Sequence, residues 1–113
     1  MHFAISPENR EEVLAFLRGT DEAEVRAYRD DRPDYPDRTF TNRRARVCAA
    51  ILAVEAGATE VDLNGRYGVV VNGWLTIATT SGKWRYRNSA NWIRYFDLRK
   101  LLKKLVTDKL PAA

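Results

Sequence analysis

Residues that ordinarily carry chemistry are scarce in this chain. Cys48 is the only cysteine among 113 residues, so no disulfide can form within the chain, and the pattern suits a reducing compartment. Its setting in the apolar run from Val47 to Val54 predicts a buried structural thiol rather than a nucleophile or a metal ligand. His2 is the only histidine and stands at the start, which leaves neither a Ser-His-Asp triad nor a histidine-based metal site. No apolar run approaches the roughly 20 residues of a membrane-spanning helix. The first dozen residues also lack the basic-then-apolar order of a secretory signal. A cytoplasmic location, no membrane partner, no metal, no cofactor and no enzymatic activity are the resulting expectations.

Three motif readings fail on spacing. Asn64-Gly65-Arg66-Tyr67-Gly68 lacks the lysine and the spacing of a phosphate loop. The acids between Asp30 and Asp37 lack the glycine and the terminal glutamate of a calcium loop. Glu60 and Asp62 alternate on a short strand and could hold Mg²⁺, but no lysine follows at nuclease spacing, so they read as solvated edge carboxylates.

What the chain does contain is a folded composition with a lopsided charge. Hydrophobic residues make up 45% and charged residues 30%, the balance of a globular chain. This length supports one domain over residues 1–113 and not two. The net charge is +4 with a pI near 9.5. Residues 1–38 hold six arginines against ten acids, a net of −4, whereas residues 39–113 hold thirteen basic and five acidic side chains, a net of +8. An acidic front joined to a basic back predicts that the back faces a polyanion or an acidic surface. Mutual neutralisation of the two halves is the competing reading.

The local signals predict an α+β fold: N-terminal helices, an antiparallel meander of four to five strands, and a C-terminal amphipathic helix packed on the sheet. Residues 2–5 suit a short edge strand. Ser6 and Pro7 then form an N-cap and first-turn pair, opening a helix with Val13, Leu14 and Leu17 buried and Gly19 as its left-handed stop. A second helix follows from Thr20 to about Arg29. Pro33 and Pro36 make residues 30–38 a loop with Tyr35 at its tip. Thr41 is expected to cap a central helix over residues 42–56, closed by Gly57, with Arg43, Arg44 and Arg46 in its first turn, disfavoured by the helix dipole and best explained by pairing with the acidic front.

From Glu60 the apolar period changes to two, predicting strands over 60–63, 66–71, 74–80, 83–88 and 92–96. Asn64-Gly65 is a second candidate hairpin turn beside Asn72-Gly73, where a type I′ turn is expected. With two residues in that turn, Val71 opposes Trp74, and Tyr67, Val69, Val71, Trp74, Thr76 and Ala78 share a face, with Val70, Leu75 and Ile77 on the other. A two-residue turn at Ser81-Gly82 then sets Lys83, Arg85 and Arg87 beside Trp74 and Tyr67, with Trp84 and Tyr86 on the core side. A three-residue turn would reverse that assignment and place the cations beside Leu75, at high desolvation cost. The side taken by Trp92 is left open by the loop before it. Asp97 caps a last helix with Leu98, Leu101, Leu102, Leu105 and Val106 on one stripe and Arg99, Lys100, Lys103 and Lys104 on the other. Pro111 follows its end.

These faces point to a non-catalytic binding protein. Lys83, Arg85, Arg87, Arg94 and Arg66 can track phosphates, with Lys100, Lys103 and Lys104 extending the track, while Trp74 and Tyr67 can stack on bases. The expected partner is nucleic acid or an acidic nucleoprotein, engaged as a monomer or a homodimer. In size and composition the chain also resembles the small accessory proteins of phages and mobile elements, including anti-CRISPR inhibitors. That resemblance implies contact with a host defence complex through protein surfaces. A leading strand, two helices and a basic antiparallel sheet are similar to the RelE and ParE toxins, some of which cleave ribosome-bound messenger RNA. The third long helix and the placement of the last one depart from that pattern, and no residue carries over.

Overall fold

The computed structural model describes residues 1–31, 38–63 and 68–107, and within them the side chains of all but 21, 23–31, 38–43 and 107. Its elements run β1 (His2–Ala4), α1 (Arg10–Asp31), α2 (Arg38–Glu55), β2 (Glu60–Asp62), β3 (Val69–Val71), β4 (Leu75–Ala78), β5 (Lys83–Tyr86), β6 (Ile93–Arg94) and α3 (Leu98–Thr107). The six strands form one antiparallel sheet in sequence order, β1 to β6. This is an α+β fold with slightly more strands than the periodicity predicts, because the opening residues pair with β2 through Phe3 opposite Val61.

The helices depart from expectation in where they stop. The Ser6 carbonyl accepts from the N–H groups of Asn9 and Arg10, and the Asn9 side chain reaches back to the Ser6 N–H at 2.8 Å. These bonds close a turn ahead of α1, which begins at Arg10 with Val13 N–H bonded to the Asn9 carbonyl, so the helix starts at Asn9 and not at the expected Ser6-Pro7 pair. Gly19 does not end it. The Thr20 hydroxyl donates to the Phe16 carbonyl at 3.0 Å, a bond of helix interiors, and α1 continues to Asp31. The two expected helices are one. Likewise α2 begins at Arg38, so Thr41 lies inside it and Arg44 and Arg46 fall beyond its first turn. Arg46 donates to the Leu63 carbonyl at 3.3 Å; the side chain of Arg43 and those of Asp21, Glu24, Asp30, Asp31, Asp34 and Asp37 in the acidic front lie outside the described residues. Gly57, at φ 104, closes α2 through Gly57 N–H to Val54 and Ala58 N–H to Ala53 bonds, the left-handed stop expected there. Pro33, Tyr35, Pro36, Asn64-Gly65 and Pro111 lie outside the described residues.

One face of α2 carries Val47, Ala50, Ala53 and Val54, all buried. Cys48 sits one position off that stripe, in line with exposed Arg44 and Glu55, and is exposed. The expected buried thiol is therefore corrected by helix geometry. α2 lies against α1, β2 and β3, and α3 packs alongside it with Leu102 in the same core. Arg10 at the start of α1 donates to the Val54 and Glu55 carbonyls, a cation at the C-terminal end of α2 where the dipole favours it. Phe3 and Phe16, with ring centres 5.7 Å apart, tie β1 to α1.

The core side of the sheet consists of Val61, Val69, Val71, Leu75 and Ile77, each 0% exposed. The expected split put Val69 and Val71 on the opposite face from Leu75 and Ile77. The difference comes from one residue. Asn72 and Gly73 both have positive φ and Trp74 N–H donates to Val71, as a type I′ turn requires, yet the ladder pairs Val71 with Leu75. Trp74 is an extra residue whose carbonyl accepts from Arg87 N–H at 2.8 Å. This bulge brings all four apolar strand residues to one face. Burying each is worth roughly 1.5–3 kcal/mol, which outweighs the irregular turn. Gly68 allows the chain entering β3 to lie this close to β4, because a Cβ there would overlap the Ile77 carbonyl oxygen.

Candidate functional site

The register between β4 and β5 pairs Leu75 with Tyr86, Thr76 with Arg85, Ile77 with Trp84 and Ala78 with Lys83. Lys83, Arg85 and Arg87 therefore stand on the side opposite the core, and Trp84 packs against the core with Tyr86 edge-on at 5.1 Å. The side assignment agrees with expectation, but the turn does not. The ladder closes at Ala78 and Lys83, leaving a loop of residues 79–82, in which Gly82 at φ 67 donates to the Ala78 carbonyl. Two more loop residues than expected leave the alternation unchanged.

Lys83 and Arg87 are exposed and Arg85 is half-buried. The extra residue Trp74 is hydrogen-bonded to Arg87, and so joins Thr76 and the cations on the outer face. Its indole Nε1 is buried without an acceptor among the described residues. Arg94 pairs with Lys83 across the β5–β6 ladder and is exposed on the same face. Four of the expected cations thus share the outer face with Trp74, Arg87 beside it and Lys83 and Arg94 at the other end of β5, whereas Arg66 and Tyr67 lie outside the described residues.

Trp92 belongs to this site, although its side was left open by the sequence. The Arg85 guanidinium carbon lies 4.5 Å from the centre of the Trp92 ring, a cation–π contact. The signal was the spacing of two between Trp92 and Arg94, which puts both on one face of a strand once Arg94 is assigned.

The outer face changes charge across its width. Glu60 and Asp62 belong to its β2 end, where His2 Nε2 lies 2.8 Å from Glu60. β5 is three strands away, about 14 Å at ordinary strand spacing, which exceeds the roughly 10 Å over which exposed charges act in 0.1 M salt. Local neutralisation of the cations by those acids is weak. Arg99, Lys100, Lys103 and Lys104 are exposed on α3, in the helical layer behind the core, so they do not extend the sheet track.

Among the described residues no three His, Cys, Asp or Glu side chains come together as a metal site, and no helix is long and apolar enough to cross a membrane. A groove lined by Leu52, Glu55, Ala56, Arg99 and Lys103 separates α2 from α3, away from the outer face. No family model, curated protein or solved structure matches this chain significantly.

Proposed function

We propose that this protein is a non-catalytic binding protein whose outer sheet face engages nucleic acid, free or within a nucleoprotein complex, in the cytoplasm. The observation that carries the reading is the collection of Lys83, Arg85, Arg87, Arg94, Trp74 and Trp92 on the side of β4–β6 opposite all three helices. Cations on alternate strand positions suit phosphates, and flat aromatic groups between them suit bases. Titration of labelled DNA and RNA at low salt tests it. Binding is expected with an association constant that falls as salt rises, at a log–log slope of about −0.7 for each phosphate contacted on a single strand. No affinity for either polymer at low salt overturns it.

A second reading has its own observation. Phe96 is 92% and Ile93 49% exposed beside Arg94, and an exposed aromatic next to an arginine is the composition of a protein-contact hot spot. An inhibitor of a defence complex, in the manner of the anti-CRISPR resemblance, would use this corner. Capture from a host lysate should then retain a stoichiometric partner after nuclease treatment, and loss of every partner argues against it. The RelE and ParE resemblance gains the element order, since two helices rather than three precede the sheet. Element order alone carries no activity.

A further inference from the structure

Lys83 and Arg94 stand directly opposite one another on β5 and β6. Tyr95 N–H donates to the Gly82 carbonyl at 3.0 Å, which makes them a non-hydrogen-bonded pair, the kind that brings opposing side chains closest. Like charges at such a position repel. Neither side chain forms an ion pair with an acid among the described residues. An anion seated between them would turn that repulsion into attraction on both sides.

Continuing the register by one step sets Arg85 opposite Trp92, and their 4.5 Å contact agrees with it. The cation pair and the cation–ring stack therefore lie side by side, about 7 Å apart, the rise of two strand residues. Guanidinium planes and aromatic rings are the surfaces on which unstacked bases settle. A base can lie flat on such a surface only when it is out of its own stack, which a single strand offers without the few kcal/mol that unstacking a duplex base costs.

We infer that β5 and β6 hold one nucleotide of a single strand, with its phosphate between Lys83 and Arg94 and its base on the Arg85–Trp92 stack. This rests on the nucleic-acid reading of the outer face and adds that the ligand is single-stranded and is gripped through both backbone and base.

The test is anisotropy titration of the intact protein with three labelled polymers: a thymidine strand of about 12 nucleotides, within the range of small single-strand sites, its duplex, and an abasic strand of equal length. The thymidine strand is expected to bind about tenfold more tightly than either of the others. Lys83→Ala and Arg94→Ala should each weaken the thymidine and abasic strands alike, by several-fold, while Trp92→Ala should weaken only the thymidine strand, by about tenfold. The wild-type comparison of thymidine and abasic strands reads the base seat even if the Trp92 variant folds poorly. Equal or tighter binding of the duplex or of the abasic strand overturns this inference and leaves the outer-face reading standing. Absence of binding to all three removes both.

Discussion

The Asn72 side-chain oxygen accepts hydrogen bonds from the Thr59 N–H at 2.8 Å and the Glu60 N–H at 3.0 Å, and the Thr59 hydroxyl adds a third at 3.1 Å. Asn72 N–H in turn donates to the Glu60 carbonyl. The turn between β3 and β4 therefore fastens the start of β2, just after the glycine stop of α2. Asn72 serves two needs at once: it tolerates φ 53 and it supplies an acceptor that glycine lacks.

Those needs separate on substitution. Asn72→Gly keeps the left-handed backbone and loses the acceptor, an expected loss of about 1–2 kcal/mol for stranded donors that are partly open to water. Asn72→Ala loses the acceptor and adds left-handed strain, roughly 1 kcal/mol more. Urea midpoints at unchanged m-value measure both. A glycine variant as stable as the parent would mean that the turn conformation alone matters.

Short-range chemistry made much of this fold legible. Gly57, Asn72-Gly73 and Asp97 each satisfy specific backbone groups near their own position, and the Lys100 N–H to Asp97 bond at 3.1 Å is such a cap. Parity around Trp74 was not legible, because Val69, Val70, Val71, Trp74 and Leu75 place apolar side chains on both alternations, so a one-residue bulge leaves no mark in the pattern. The cation trio was legible for the opposite reason: Lys83, Arg85 and Arg87 alternate strictly with Trp84 and Tyr86. Gly19 misled because a glycine before a threonine and an aspartate reads as a stop and a new cap, while the stripe of Val13, Leu14 and Leu17 ends before it and does not reveal whether the helix runs on.

Gly19 gives the next expected outcome. It lies inside α1, is exposed, and a Cβ added there meets no atom within 4 Å. Gly19→Ala should therefore stabilise the protein by about 0.5–1 kcal/mol, by removing unfolded-state freedom without strain. Thermal or urea unfolding decides the sign. Destabilisation would restore a left-handed stop at Gly19 and break α1 in two.

Glu8 sets an acid-limb prediction. A hydrogen bond from its own backbone N–H, followed by one from the Ser6 hydroxyl, holds its carboxyl below the ordinary glutamate range. Because the folded value is depressed, the associated stability is present above the unfolded value near 4.3 and is lost as pH falls through the folded one. Ser6→Ala should raise the Glu8 titration toward the ordinary range in a carboxyl NMR titration, and Glu8→Gln should flatten stability against pH on the acid side. If Ser6→Ala leaves the Glu8 titration where it is, the hydroxyl has no part in the shift.

The two basic surfaces of this fold lie in different layers, which allows the nucleic-acid reading to be tested by position rather than by total charge. Lys83, Arg87 and Arg94 are exposed on the outer sheet face, and Lys100, Lys103 and Lys104 on α3, behind the core. Neutralising either trio to glutamine removes the same net charge, so a long-range field would lower binding equally in both cases. Direct phosphate pairing would not. Neutralising the sheet trio is expected to reduce the log–log salt slope by about 1.4, at roughly 0.7 each for the phosphate shared by Lys83 and Arg94 and the one at Arg87, while neutralising the α3 trio should change it by well under 1. Equal reductions would reduce the outer face to a contributor of net charge, and a larger reduction from α3 would move the interface to that helix.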